Sequence, residues 1–306
     1  GPLLAVVMEW CFVYHDPRPE SGAWTLPRGF AQALRQAGVQ LWIYSFRDPA
    51  QVVLPSCDEL KRRRTTVMLV FYAGRSASLE QELLRVRQGT ELLIVNELGD
   101  EPQTRHLNAV RVQVSDLCLS PDVPSVEHWR ALGGHCVWFT HWADTALFHP
   151  DQSVQRRRKI VTTAGRRRYS GLLWAVFGPW FVNRRCEGIQ NTELYSSGLI
   201  AFQYARWGEL TRRVFEAAAC GCCVVTNRLP PQLGLEHLFV DGESIVLYSN
   251  GWELLRRLVG LLRDPQRAAR IGARGQAVVL REHTQLARAQ QLVALVADLL
   301  PPQGAG

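Results

Sequence analysis

Glu209, Arg212, Arg213 and Glu216 fall close together in the run Trp-Gly-Glu-Leu-Thr-Arg-Arg-Val-Phe-Glu. Guanidinium groups pair their N–H donors with phosphate oxygens, and a helix N-terminus adds unpaired backbone N–H groups and the positive end of a dipole. That combination suits an anion such as a diphosphate. A carboxylate beside it accepts hydrogen bonds from sugar hydroxyls. The surrounding residues predict the elements that hold these groups. Val214 to Cys220 is small and helix-forming, and Gly221 ends the helix, because glycine takes the left-handed conformation there without a Cβ penalty. Cys222 to Val225 is apolar and rich in β-branched residues, as a buried parallel strand should be. Thr226 to Pro231 reads as a loop at that strand's carboxyl end, where open α/β sheets place their ligands.

The chain has 306 residues, of which 47% are hydrophobic and 21% charged, so it is globular with room for two α/β domains. Lys and Arg number 35 against 28 Asp and Glu, a formal charge of +7, and only Lys61 and Lys159 are lysines. Arginine clusters at 62–64, 156–158, 166–168, 184–185 and 212–213 read either as solvated surface or as attraction to phosphates. No recognisable DNA- or RNA-binding motif accompanies them, which argues against nucleic acid. No apolar run reaches membrane-spanning length, and the start lacks a basic-then-apolar leader. A soluble cytoplasmic protein is therefore expected, with a charge compatible with contact at a membrane surface. Eight cysteines lie mostly in apolar runs. Cys220-Gly-Cys222-Cys223 resembles half a zinc knuckle, but no second pair at zinc spacing exists, so these read as core residues.

In the first half, an apolar run from Leu3 to Tyr14, a helix over Thr25–Gly38 and a strand over Val39–Phe46 make a βαβ opening. The loop over His15–Gly22 lacks a G-x-G-x-x-G fingerprint. Strands are predicted at Val67–Tyr72, Glu91–Val95, Ala109–Ser120 and Cys136–Thr140, with helices at Ser78–Arg87 and Pro124–Leu132. The acidic loop Asn96–Pro102 could hold a base, but reads better as a helix start. A linker over 151–158 leads to a strand at Lys159–Ala164. Further strands are predicted at Leu199–Tyr204 and Ser244–Tyr248, and helices at Trp252–Arg263, Pro265–Arg281 and Thr284–Leu300.

The run Arg-Arg-Val-Phe-Glu-Ala-Ala-Ala-Cys-Gly, followed by Gly-Leu-Glu-His-Leu-Phe-Val-Asp-Gly-Glu-Ser-Ile-Val-Leu-Tyr at 234–248, resembles the C-terminal half of a GT-B glycosyltransferase. It is most similar to the spore-maturation (CgeB-like) branch related to glycosyltransferase family 4. The resemblance implies two Rossmann-like domains facing each other across a cleft. Residues 1–150 would be an acceptor domain, 151–285 a nucleotide-sugar donor domain, and 286–306 a helix crossing back to the first. It also implies sugar transfer from a nucleotide-diphospho-sugar, UDP- or GDP-linked, to an acceptor the sequence does not name, without a metal and with retention of configuration. On this pattern Glu216 binds the ribose, and an upstream Glu faces the donor sugar. Six residues separate Glu209 from Glu216 where the family pattern has seven, which sets Glu209 off register. Arg166, Arg212 and Arg213 would meet the diphosphate, and Thr226 and Asn227 would line the base or phosphate side. In the first domain, His15 is the candidate catalytic residue, with Asp16 beside it; a capped turn is the alternative. His141 and Asp144 would border the cleft near the Phe148-His149-Pro150 step. Two other readings remain open: a degenerate GT-B scaffold without turnover, and a nucleic-acid-directed protein.

Overall fold

The computed structural model describes residues 9–16, 25–163, 165–186 and 188–300. The start of the first predicted strand, most of the His15–Gly22 loop, Ala164 and the tail from Pro301 lie outside the described residues. Two compact units emerge: residues 1–140 with 288–306, and residues 141–287. The boundary thus falls ten residues before the expected division at 150–151, and the final crossing helix was expected from 286.

The first unit is a six-stranded sheet with every neighbouring pair parallel. Its elements run β1 (Glu9–His15), α1 (Thr25–Gln36), β2 (Gln40–Phe46), α2 (Cys57–Arg62), β3 (Thr65–Val70), α3 (Ala77–Gly89), β4 (Leu93–Glu97), α4 (Ala109–Val114), β5 (Leu117–Ser120), α5 (Val123–Ala131) and β6 (Cys136–Trp138). The strand order is β2-β1-β3-β4-β5-β6. Parallel strands need crossover helices, and those helices bury both sheet faces. Cys11, Val13, Met68, Val70 and Ile94 accordingly pack with Leu79, Leu83 and Val86 of α3. The expected strand over Ala109–Ser120 divides into α4 and β5. Val110, Val112 and Val114 alternate as a strand would. Arg111, however, is buried and donates to Asn96 Oδ1 (3.0 Å) and to the carbonyls of Glu97 (3.0 Å) and Gly74 (3.1 Å). These tertiary bonds outweigh the local alternation and hold the segment as a helix.

The second unit repeats the plan with five strands: β7 (Arg157–Thr162), α6 (Ser170–Phe177), β8 (Phe181–Asn183), α7 (Ile189–Ser197), β9 (Gly198–Phe202), α8 (Arg212–Ala219), β10 (Cys223–Asn227), α9 (Leu235–Leu238), β11 (Val246–Tyr248), α10 (Gly251–Arg263), α11 (Pro265–Glu282) and the start of α12 (Gln285–Ala297). The order is β8-β7-β9-β10-β11, again all parallel. Ile160, Ile200, Phe202, Val225 and Val246 form the core with Leu173 and Phe177 of α6 and Leu254, Leu258 and Leu261 of α10. Gly221 closes α8 at φ +86°, as expected. Gly272 of α11 lets that helix touch the turn, for a Cβ there would lie 2.4 Å from the Gly221 carbonyl oxygen. Among the described residues no helix is long and apolar enough to cross a membrane.

Candidate functional site

Strand order locates the crevice. From β7 the chain crosses outward to β8, and from β9 it crosses the other way to β10. The loops leaving these two neighbouring strands therefore diverge, and a ligand space opens between them at the strands' carboxyl ends. The loop after β7 reaches α6 at Ser170, and the loop after β9 runs from Gln203 to Thr211, the N-cap of α8.

Arg167 anchors the first loop. Its backbone N–H donates to Ser170 Oγ at 2.9 Å, and Ser170 N–H donates back to its carbonyl at 3.1 Å. Its guanidinium is half-buried and donates to the Arg166 carbonyl at 3.1 Å. Burial, followed by the positive charges of Arg213, Arg206 and Arg185, lowers its pKa, with Glu209 opposing. Four guanidiniums thus act on one another, with Glu209 opposing at Arg167 and Glu216 opposing at Arg213. Such a set repels itself when empty and is relieved by an anion carrying several charges. Arg212 and Arg213 occupy the first turn of α8, whose cap Thr211 makes no side-chain bond to the helix. The helix's leading N–H groups add to the field.

Two carboxylates complete the site. Glu209 lies before α8, after a turn in which Gly208 takes φ +66°. Its Oε2 is buried without a hydrogen-bond partner. Burial raises its pKa, while the backbone N–H groups of Glu209 and Trp207 and the charges of Arg206 and Arg213 pull it back. Glu216 is half-buried on α8. Burial raises its pKa too, Arg212 and Arg213 pull it down, and Asp144 adds to the rise. Behind it, the hydroxyls of Tyr195 and Thr163 pair at 3.1 Å, and burial chiefly raises the Tyr195 pKa, with the Glu216 charge adding to it.

Sequence reading placed Thr226 and Asn227 in a loop, but both belong to β10. Asn227 Oδ1 accepts from the Ala205 N–H at 2.7 Å and from Thr226 Oγ1 at 3.3 Å, while its Nδ2 donates to the Ala205 carbonyl at 3.4 Å. The amide thus clamps the start of the loop that carries Glu209. Arg166 is exposed, and Arg167 is the half-buried member of the triplet, under the charges of Arg213, Arg206 and Arg185. Three successive arginines carry no register, so the sequence offered no signal to prefer the middle one. Arg206, also missed, lies over the Trp207 ring at 4.4 Å.

The first-unit candidates have partners within their own unit. His15 Nε2 lies 3.0 Å from the Arg47 carbonyl, and its ring stacks on Phe46. A carbonyl only accepts, so Nε2 is the donor and a neutral ring keeps its lone pair on Nδ1. Asp16 is buried, and its Oδ2 accepts from Arg28 at 2.7 Å. The acidic loop proves structural at Glu101, which accepts from Trp129 Nε1 (2.8 Å) and Asn108 Nδ2 (3.2 Å). In the second unit, Asp144 Oδ1 caps a turn through the Ala146 N–H at 3.0 Å. Among the described residues no three of His, Cys, Asp or Glu stand where they could share a metal ion. Cys220, Cys222 and Cys223 are buried, with Cys223 pushed up to about 12 by burial.

Residues 156–294 match a family model described as glycosyl transferase-like. No curated protein matches the chain by sequence. Among solved structures, sucrose-phosphate synthase from Thermosynechococcus elongatus superposes with a TM-score of 0.64 at 13% identity, covering 95% of this chain and 99% of that one. Anabaena HepE in complex with UDP-glucose gives 0.61 at 14% identity, covering 95% and 100%. An alpha-glucosyltransferase in complex with UDP and a 13-mer DNA gives 0.60 at 10% identity, covering 95% and 99%. The fold is GT-B. At these identities the likeness speaks for the fold alone, and the family match falls on the unit that carries the arginine group. In GT-B terms this is the second Rossmann-like domain. The matches do not reach the CgeB-like branch suggested by the motif.

Proposed function

We propose that the chain is a glycosyltransferase that takes its sugar from a nucleoside-diphosphate donor held in the second unit. The observation that carries this reading is the set of three arginines on the loops leaving β7 and β9 and on the first turn of α8: Arg167, Arg206 and Arg213. A diphosphate leaving group gains negative charge as the glycosidic bond breaks, and preorganised cations stabilise that charge without reorganising. Arg167, Arg206 and Arg213 supply them here, so turnover in the presence of a chelator is expected. Glu216 grips the ribose hydroxyls. The unpartnered Oε2 of Glu209 is available to a hydroxyl of the donor sugar, whose hydrogen bond would repay its burial. Arg166 and Arg212 add charge at the rim, and the Asn227 clamp fixes the loop that carries Glu209. His15, in the first unit, offers a ring nitrogen able to accept a proton from an acceptor hydroxyl. Retention of configuration, the CgeB-like branch and a cytoplasmic site of action belong to this proposal as well. Solved relatives bound to UDP or UDP-glucose favour a uridine donor over a guanosine one.

A thermal-shift screen against UDP, GDP, ADP and TDP, with chelator present, tests the reading. A ligand that binds only the folded state raises the melting temperature by mass action. A shift with one diphosphate, followed by release of that diphosphate from its sugar conjugate, is the expected result. Binding without release in the presence of candidate acceptors would instead favour a degenerate scaffold.

A further inference from the structure

Helix α6 is apolar on nearly every side, yet only one side of it is covered. Leu173 and Phe177, four residues apart, enter the core of the second unit. Leu172, Trp174, Val176 and Trp180 face solvent, with Trp174 59% and Trp180 55% exposed. A helix apolar all round is normally buried, so this one lacks a cover. The surface continues onto α10. A Cβ on Gly251 would lie 3.0 Å from the Tyr169 ring and 3.7 Å from Leu172, and Trp252 beside it is 81% exposed.

Charge names the cover. From Gln152 to Cys186 the sequence carries nine Arg and Lys residues and no Asp or Glu. The strand register distributes them. Ile160 pairs with Phe181, so Arg158 and Lys159 stand at the end of the sheet where Trp180 enters β8. At the other end of α6, exposed Arg168 precedes the helix, and exposed Arg184 leaves β8. Glu253, on the neighbouring face of α10, is occupied by Arg257 at 3.4 Å and by the Ser249 N–H at 3.1 Å. The apolar face is therefore bracketed by cations at both ends. Tryptophans seat at the headgroup level of a bilayer, and flanking arginines meet anionic headgroups.

We propose that α6, Trp180 and Trp252 form a docking face for an anionic lipid bilayer. The protein would lie on the membrane surface, tryptophans in the interface and arginines against the phosphates. This rests on the outer surface of the second unit, and it stands whether or not the donor reading holds.

Sedimentation with vesicles of equal parts phosphatidylcholine and phosphatidylglycerol, against phosphatidylcholine alone, tests it. The chain is expected to pellet with the anionic vesicles, with a blue shift of tryptophan emission, and to be released by high salt. Arg158→Gln/Lys159→Gln should weaken binding by roughly thirty-fold, at about fivefold for each cation near the surface. Trp174→Ser/Trp180→Ser should abolish it with an unchanged melting temperature. If that pair melts lower, Trp252→Ser on α10 alone should still weaken binding. Equal pelleting by wild type and the tryptophan variants, or no preference for anionic lipid, would overturn the proposal. So would a lipid-free dimer in sedimentation velocity that Trp174→Ser/Trp180→Ser dissolves, since a second copy would then be the cover.

Discussion

Replacing Arg167 by Gln should separate affinity from stability. In the ligand-free protein Arg167 feels the charges of Arg213, Arg206 and Arg185, and Glu209 opposes them. Removing its charge relieves that repulsion. The groups are partly exposed, so solvent screens the gain, and stability should move by no more than about 0.5 kcal/mol, upward if at all. The loop itself should survive, because its bonds to Ser170 come from the Arg167 backbone. Affinity should move the other way. A hydrogen bond to a charged group is worth about 1.5–3 kcal/mol, so loss of one guanidinium–phosphate contact weakens binding roughly 10- to 150-fold. Arg166→Gln is the matched control, since Arg166 is exposed and should cost less than about 0.5 kcal/mol. Calorimetric titration with the diphosphate found by thermal shift, on both variants, gives the two numbers. If Arg166→Gln costs more than Arg167→Gln, or if Arg167→Gln lowers the melting temperature by several degrees, the reading of the arginine group is wrong.

Glu216→Gln should also raise ligand-free stability while weakening nucleotide binding. Its folded carboxyl is raised above the ordinary 4.5, so native protein holds a proton that the unfolded chain has released, and stability falls as pH rises through that window. The variant should therefore melt higher than wild type at neutral pH, and the two curves should converge below about pH 4; a constant gap at every pH would refute the assignment. Gly272→Ala should destabilise by about 2 kcal/mol in urea, although alanine is the better helix former, because its Cβ meets the Gly221 carbonyl oxygen at 2.4 Å. An unchanged or higher midpoint would show that α11 does not press on the α8–β10 turn. Native thiol titration should find at most Cys57 and Cys186 reacting readily, because the other six cysteines are buried, and all eight after unfolding.

The parts of the fold set by local chemistry were legible in the sequence. Gly221 and Gly38 mark helix ends because both adopt positive φ, at +86° and +93°. α10 and α11 begin and end within a residue or so of their expected positions, since Asn250 and Asp264 cap them through the N–H groups of Glu253 and Arg267. What was not legible depended on distant partners. Nothing local distinguishes α4 from a strand, because its valines alternate; Arg111 decides it through bonds to Asn96, Glu97 and Gly74. Asn227 reads as a pocket residue by position and proves to be a clamp only when β9 is laid beside β10, bringing Ala205 to it. Within Arg166–Arg168 the composition shows the charge, and only the three-dimensional neighbours distinguish half-buried Arg167 from its exposed neighbours.

The same distinction governs the spacing of the two carboxylates. If both stood on one helix, losing a residue between them would turn one away from the other by about 100°, since an α-helix has 3.6 residues per turn. Such a rotation would disable the pair, and the degenerate-scaffold reading draws its force from that picture. The geometry differs. α8 begins at Arg212, so Glu216 rides on the helix while Glu209 belongs to the loop before it. The direction of Glu209 is set by the turn through Gly208, whose N–H donates to the Ala205 carbonyl at 3.2 Å, and by the Asn227 clamp on Ala205. A loop absorbs a missing residue by changing its turn, without rotating the helix that follows. Gly208 takes a positive φ in that turn, and the buried, unpartnered Oε2 of Glu209 shows the carboxylate held in place at a cost in desolvation. A polar atom kept there is what a donor-sugar contact requires, so the shortened spacing does not weigh against turnover.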